Sequence, residues 1–427
     1  MAYIQRLILL GFALLTVSPA QLTVDAEIRP RFEIRDGYKL LSIDGQAPAV
    51  LISQRSRLSL YYSKNQLSTR FSLQDVRVWG DESNVSSTGV TGDPASLDLH
   101  EAWAEYRTPA GFDLRIGRQV FNIDDQRLIS QRNWNQNGLS YDALRLRYAP
   151  GDWQFDLALS LNNNQENTDG NLYPADRLKT LNFLYIQGPL SEQFSNSLIL
   201  LGSGVTANDS SEVIYMRGTL GDYWHFSGDK LDLQGSVYYQ FGKNKSGRVV
   251  SAFLGSVDGL IQIQSLKTGG GLVYISGQDA ARSSSDYQNT DHLFDLLYGT
   301  RHSNYGLMDY FSDIPKGTGG GGLLDVCLKL QYGADKTSLQ LDAHRFYLAN
   351  RVLLNSDPDP IDKYLGTEFD LSLKWKLHPA ITLQGGYSVM RPGESLERIQ
   401  GLNPSDSDWS HWFWLMLDVK SVLFQET

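Results

Sequence analysis

Arginine recurs at alternate positions near the start of the chain: Arg29, Arg31 and Arg35 share one phase with Thr23, Asp25, Glu27 and Glu33. Arg55 and Arg57 share a phase with Ser59 and Tyr61 in the second alternating run. Arg70 follows in the third run, Arg115 in the fifth, and Arg145 and Arg147 in the sixth. A guanidinium group stays charged and forks onto carboxylates through two parallel hydrogen bonds. Gathered on one wall of a confined, wet space, such groups concentrate anions and speed their entry. The competing use of the same side chains is structural pairing with acids of their own phase, among them Glu27, Glu33, Asp75, Glu101, Glu105 and Asp113. Surplus charge in a lumen tunes selectivity, so the chemistry expected here is reversible binding of anions.

Bond-making chemistry has weaker support. His100-Glu101 with Asp98, or His344 with Asp342 and Ser338, can be drawn as acid–base sets, but seven histidines in 427 residues fall near acids by chance. A triad is recognised by geometry, which spacing alone does not supply. The stretch Gly242 to Gly247 lacks the phosphate-loop pattern. Asp357-Pro358-Asp359-Pro360 reads as a solvated acidic turn, since Ca²⁺ takes six to eight oxygens. Cys327 is the only cysteine and forms no internal disulfide; it is read as a small buried or lipid-facing strand residue. No catalytic residue, metal ligand or cofactor is expected. A net charge of −10 without a basic domain excludes nucleic acid as a partner.

The elements that carry these residues alternate apolar and polar with period two. In 152–162, Trp153, Phe155, Leu157 and Leu159 oppose Gln154, Asp156, Ala158 and Ser160. In 368–377, Phe369, Leu371, Leu373, Trp375 and Leu377 oppose Glu368, Asp370, Ser372, Lys374 and Lys376. Strands are read near 22–35, 51–63, 67–80, 96–108, 111–122, 139–149, 152–163, 178–189, 192–203, 212–225, 229–243, 249–264, 269–278, 322–333, 338–351, 362–377, 380–391 and 409–424, eighteen in all. Many are about as long as the ~9–11 residues that a tilted membrane strand needs.

The links alternate between tight (Lys64-Asn65-Gln66, Pro150-Gly151-Asp152, His378-Pro379) and roomy (81–95, 123–138, 164–177, 279–321, 392–408). Short turns at one end and long loops at the other mark a bacterial outer-membrane barrel. The expected fold is therefore all-β: one transmembrane antiparallel β-barrel of about eighteen strands, with short periplasmic turns and long extracellular loops. A mean hydropathy of −0.31 suits it, because only alternate residues face lipid. Arg6, the apolar run Leu7 to Val17 and the small residues at 18–20 read as a secretory signal over 1–20, leaving 21–427 as the single barrel domain.

Four details follow from phase and composition. The aromatics of 409–424 read as an interfacial girdle. The phase of 67–79 flips near Gln74-Asp75, which implies a bulge there. Arg118 shares the lipid phase of Phe112, Leu114 and Ile116, so either a bulge turns it inward or it lies above the membrane rim. Loop 279–321, with glycines 269–271 and 319–322 near its ends, either folds inward to narrow the pore or lies flat outside. A closed wall has no edge to cover, which predicts a monomer in the outer-membrane lipid of a Gram-negative cell.

Gly117-Arg118-Gln119, then Asp124-Asp125-Gln126-Arg127-Leu128, Trp134-Asn135 and Tyr141-Asp142-Ala143-Leu144 resemble the alginate-export family of outer-membrane barrels. So do Ser276-Gly277-Gln278-Asp279, His292 to Gly299 and Gly306 to Phe311. The resemblance implies an eighteen-stranded barrel with an arginine-rich constriction for polyuronate, and it adds Arg118 and Arg127 to the candidate pore residues. The expected function is passive, selective passage of anionic solutes, alginate-like or other uronate oligo- or polysaccharides, along the arginine wall. The alternatives are a general or nutrient-uptake porin, and a plugged barrel serving as adhesin or scaffold.

Overall fold

Strict alternation lets each strand bury one face against a lumen and offer the other to lipid, and the strands close on themselves. The computed structural model describes residues 20–80, 97–354, 359–404 and 406–426. The expected signal segment, apart from Ala20, and loop 81–95 lie outside the described residues.

The first half of the wall is β1 (Gln21–Asp36), β2 (Ala49–Lys64), β3 (Leu67–Val78), β4 (Leu97–Arg107), β5 (Phe112–Gln119), β6 (Tyr141–Tyr148), β7 (Gln154–Leu161), β8 (Thr180–Pro189) and β9 (Phe194–Thr206). The second is β10 (Ile214–Ser227), β11 (Leu231–Lys243), β12 (Val249–Ile263), β13 (Leu266–Ile275), β15 (Leu323–Ala334), β16 (Thr337–Leu348), β17 (Tyr364–His378), β18 (Ile381–Pro392) and β19 (Ser410–Gln425). Between β13 and β15, the two-residue β14 (Thr290–Asp291) lies parallel to the start of β12 and is not part of the wall. All wall pairings are between sequential, antiparallel neighbours, and β1 pairs with β19 to close the barrel, with Thr23 opposite Gln425. Eighteen wall strands result, as the alternation and the turns predict.

The outer belt is apolar and exposed, for example Ile28 at 50%, Leu198 at 48% and Leu371 at 41%. So large a continuous apolar surface is stable only against lipid. Among the described residues no helix is long and apolar enough to cross a membrane; the strands do so.

Three expectations need correction. The bulge lies in β4, not β3: the β2–β3 register runs unbroken, whereas Ser72 pairs with Glu101 and Leu73 with Leu99, so His100 is the extra residue. The aromatics of β19 are not a simple girdle. Phe413 and Phe424 face out, but Trp412 and Trp414 point inward and are buried. And β5 and β6 are shorter than expected, because the chain leaves the wall after Gln119 and rejoins it at Tyr141.

The segment between them, and loop 276–322, fold into the barrel. Their apolar residues, including Phe121, Ile129, Phe294, Leu296, Met308 and Phe311, form a core inside the lumen. They pack on inward-facing Phe183, Ile199, Leu201, Leu254, Val273 and Phe346 of the wall. The inner face is thus apolar where a loop covers it. Loop 279–321 takes the inward arrangement of the two weighed from its sequence.

Candidate functional site: a lumen narrowed by two loops

Loop 120–140 spans the lumen and is tied to the wall on both sides. On the β1–β3 side the tethers are the predicted arginines. Arg29 donates from Nε and Nη2 to Gln136 Oε1 (3.1 and 2.9 Å) and from Nη1 to the Asn133 carbonyl (2.7 Å). Arg31 donates to the Trp134 carbonyl (2.9 Å) and Arg55 to Asn133 Oδ1 (3.0 Å). Arg57 donates to Gln74 (2.7 Å), whose amide in turn donates to the Asn137 carbonyl (3.0 Å). Arg29, Arg31 and Arg55 therefore lie buried beneath the loop. An irregular segment carries carbonyls without ladder partners, and these need donors once water is excluded.

On the far side, Asp124 accepts from Tyr185 Oη of β8 (2.7 Å) and Ser197 Oγ of β9 (2.6 Å). Arg127 donates to Asp125 (2.8 Å) and reaches Asp258 of β12 at 3.4 Å, and Lys329 of β15 also pairs with Asp258. The predicted pore residue Arg127 is thus a buried bolt between loop and wall. Burial raises the Asp124 carboxyl to about 6, against the lowering hydrogen bonds from Ser197 and Tyr185 and with Asp125 adding to the rise. A carboxyl held above its ordinary value of 3.8 favours the docked state when protonated. Its contribution is complete below 3.8 and is lost as the pH rises through about 6. Protease cleavage of the loop is expected to increase over that window, and Asp124→Asn to flatten the response. A variant with the wild-type pH profile would contradict this.

The other candidates sit as follows. Arg70 pairs with Glu101 (2.9 Å). Arg115 pairs with Glu105 (2.7 Å) and lies 3.8 Å over the Trp103 ring. Arg145 and Arg147 share Asp156 (2.8 and 3.0 Å) and line a polar cavity of about 400 Å³ in the short-turn half, with Tyr185 and His225. Arg118 is not in the lumen. It alternates with inward Gln119, faces outward, and pairs with exposed Asp142 at 3.4 Å. Gly117, at φ +120° and with a neighbouring carbonyl where a Cβ would stand, bends the strand there without turning Arg118 inward.

Loop 276–322 completes the constriction. Arg132 donates to the carbonyls of Gly299 (2.9 Å) and Leu297 (3.0 Å), and Ile129 bridges Tyr298. Leu307 and Met308 donate their backbone N–H groups to Asp370 (3.2 Å) and Glu368 (2.8 Å) of β17. At the meeting point of the loops Trp134 stacks on His302, centroids 4.1 Å apart and planes 9° from parallel. Arg31 lies 4.1 Å over the Trp134 ring. His302 bonds Asp309 (2.9 Å), which also accepts from Tyr38 (2.5 Å).

Trp134 and His302 line two cavities. One, of about 200 Å³, is bounded by Lys39, Arg132, Arg301, Asp309 and Asp313. The other, of about 550 Å³, opens in the short-turn half against β12 to β19. The tryptophan–imidazole stack is therefore the partition between them. Among the described residues, the hydrogen-bond partners of Arg29, Arg57, Arg132 and Arg301 are amides and carbonyls, not carboxylates. Glu33 serves both Arg31 and Arg35, as Asp156 serves two arginines, so positive charge is in surplus on this side. Arg132, Arg301 and Lys39 were not singled out from sequence, although Arg132 lies between the Asp124–Leu128 and Trp134-Asn135 motifs.

His344 bonds Asp325 (2.9 Å) and contacts Cys327 Sγ (3.4 Å), not the Asp342 and Ser338 of the set drawn from sequence. The Cys327 thiol is buried in the wall and lines neither of the two central cavities.

Residues 20–168 match the family model described as alginate export. No curated protein matches the chain. Among solved structures, OccAB4 of Acinetobacter baumannii is 11% identical, with 96% of this chain and 99% of that one covered and a TM-score of 0.61. Pseudomonas aeruginosa OpdL is 13% identical, with 94% and 99% covered and a TM-score of 0.59. Pseudomonas aeruginosa OpdK, solved with vanillate, is 11% identical, with 94% and 98% covered and a TM-score of 0.56. At these identities the likeness is one of fold. With its lipid-facing belt and its eighteen-stranded wall, the chain is a Gram-negative outer-membrane β-barrel whose residues 20–168 match the alginate-export family model.

Proposed function

We propose that the barrel passes anionic solutes passively, with the narrow point between loops 120–140 and 276–322 selecting for negative charge. The observation that carries this reading is the convergence of Lys39, Arg132 and Arg301 on the polar cavity between the loops, where, among the described residues, the hydrogen bonds of the two arginines run to carbonyls. Of the acids there, Asp309 is engaged by His302 and Tyr38 and lies 4.0 Å from Lys39, and Asp313 accepts from the Lys316 N–H, so the excess charge rests on the two arginines. In so narrow a space uncompensated guanidinium groups attract carboxylates and repel cations.

Uronate-type oligosaccharides are the solutes this reading puts first, in keeping with the family match. The about 200 Å³ of the cavity favours a second reading for the docked loops, passage of small single carboxylates; a polymer would need the loops to part. The closed wall fits a protomer that works alone. Swelling of protein-bearing liposomes in iso-osmotic glucuronate, glucose or glucosamine separates these ideas. Faster swelling in glucuronate, lost in Arg132→Gln/Arg301→Gln, is the expected result. Equal rates for all three solutes would leave a general porin, and no swelling would leave a plugged barrel.

A further inference from the structure

The large cavity in the short-turn half is built unlike the arginine side. Five glutamines, Gln262, Gln264, Gln331, Gln340 and Gln384, come from four different strands and a turn to line it. Its charges cancel, Lys267 and Lys374 against Asp342 and Asp370. Trp134 and Trp414 form part of its lining. At about 550 Å³ it falls within the ~300–1,000 Å³ usual for small-molecule sites.

Three buried polar atoms on this lining have no hydrogen-bond partner among the described residues: the indole Nε1 of Trp414, a residue 5% exposed, and the carboxylate atoms Asp342 Oδ1 and Asp370 Oδ1. A buried donor or acceptor left unpaired is unfavourable, so a ligand that draws these side chains towards the cavity and supplies the missing half is favoured. One orphan is a donor and the other two are acceptors. A primary amide also both donates and accepts. The group that answers all of these is a hydroxyl, which gives one hydrogen and takes two. An anion would satisfy the indole but not the Asp342 and Asp370 oxygens, and a cation would satisfy those but not the indole. Aromatic faces add an apolar platform for the C–H side of a sugar ring, as amphipathic rings do wherever one end of a ligand is apolar and the other wet.

We propose that this cavity is a binding site for a saccharide that it recognises through hydroxyl groups and not through charge. It deepens the channel reading and rests on it only for how the solute arrives. The site lies across the lumen from the arginine wall, directly beneath the Trp134–His302 partition, so a sugar that has passed the partition would rest there.

Binding is read from intrinsic tryptophan fluorescence of the refolded full barrel in detergent micelles, with maltotriose as the neutral saccharide and triglycine as a smaller, zwitterionic solute that hydrogen-bonds without hydroxyls. The expected result is a saturable change with maltotriose and none with triglycine. Gln331→Leu/Gln384→Leu should weaken the response at least tenfold. Trp414→Phe, which keeps an aromatic ring and removes the donor, should weaken it severalfold while the barrel keeps its heat-modifiable migration. No saturable response to maltotriose, an equal response to triglycine, or unchanged affinity in both variants would overturn the proposal. Ionic current through the same preparation separates the two ideas. Current without a sugar response removes the saccharide site alone; a sugar response without current removes the channel reading and leaves the site standing.

Discussion

Replacing Trp134 by alanine is expected to raise the unitary conductance severalfold. The ring is held between Arg31 on one side and His302 on the other, each 4.1 Å away, with the edges of Trp412 and Trp414 at centroid distances of 5.8 and 4.9 Å. It lines both the small cavity between the loops and the large one below. Deleting it joins those spaces directly. It also withdraws the largest side chain by which the two loops hold each other, and truncations of this kind cost about 3–5 kcal/mol. Wider and noisier single-channel currents follow from both effects. Unchanged conductance would show that the stack does not partition the path.

Arg127→Met should have the largest effect on the anchoring of loop 120–140. Arg127 is 5% exposed and lies between Asp125 at 2.8 Å and Asp258 at 3.4 Å. Methionine fills much of the volume but leaves two carboxylates facing each other, with Lys329 alone to offset Asp258. Removing one partner from a buried charge cluster costs about 3–5 kcal/mol. That is enough to change the docked population of a single loop by orders of magnitude while the wall, held by its own ladders, stays closed. Arg132, whose guanidinium lies against the carbonyls of Leu297 and Gly299, then becomes accessible. Trypsin added to intact cells should cut after Arg132 in the variant and spare the wild type. Equal protection of both chains would contradict the bolt.

The wall was legible in the sequence, and the inside was not, for a physical reason. A strand has one period, and Ile28, Phe32 and Ile34 opposite Arg29, Arg31 and Arg35 report their two environments directly. Tight turns such as Lys64-Asn65-Gln66 fix the hairpins, so strand number and the long-loop end follow. Loops have no period, and the course of 120–140 depends on partners far away in sequence, such as Arg29 with Gln136 and Arg132 with Gly299. One local sign was available: residues 181–201 are apolar on both faces, with Leu181, Phe183, Ile199 and Leu201 on the inner one. An inner face of that kind cannot stand against water and requires a cover. For the same reason the arginine ladder is only in part a free surface. Its upper members hold the loop, and the cations that line the cavity between the loops, Arg132, Arg301 and Lys39, lie on segments whose fold the alternation does not describe. Phase puts Arg118 with the lipid side and leaves open a bulge that turns it inward, the resemblance places it in the pore, and the structure has it outward beside Asp142.

The zero-current potential of the purified protein in a planar bilayer, under a tenfold KCl gradient, tests the central claim most directly. A potential of the sign that marks chloride permeating faster than potassium, moving toward zero in Arg132→Gln/Arg301→Gln, is the predicted result. A potassium preference, or an anion preference untouched by the double variant, would contradict selection by the cations between the two loops.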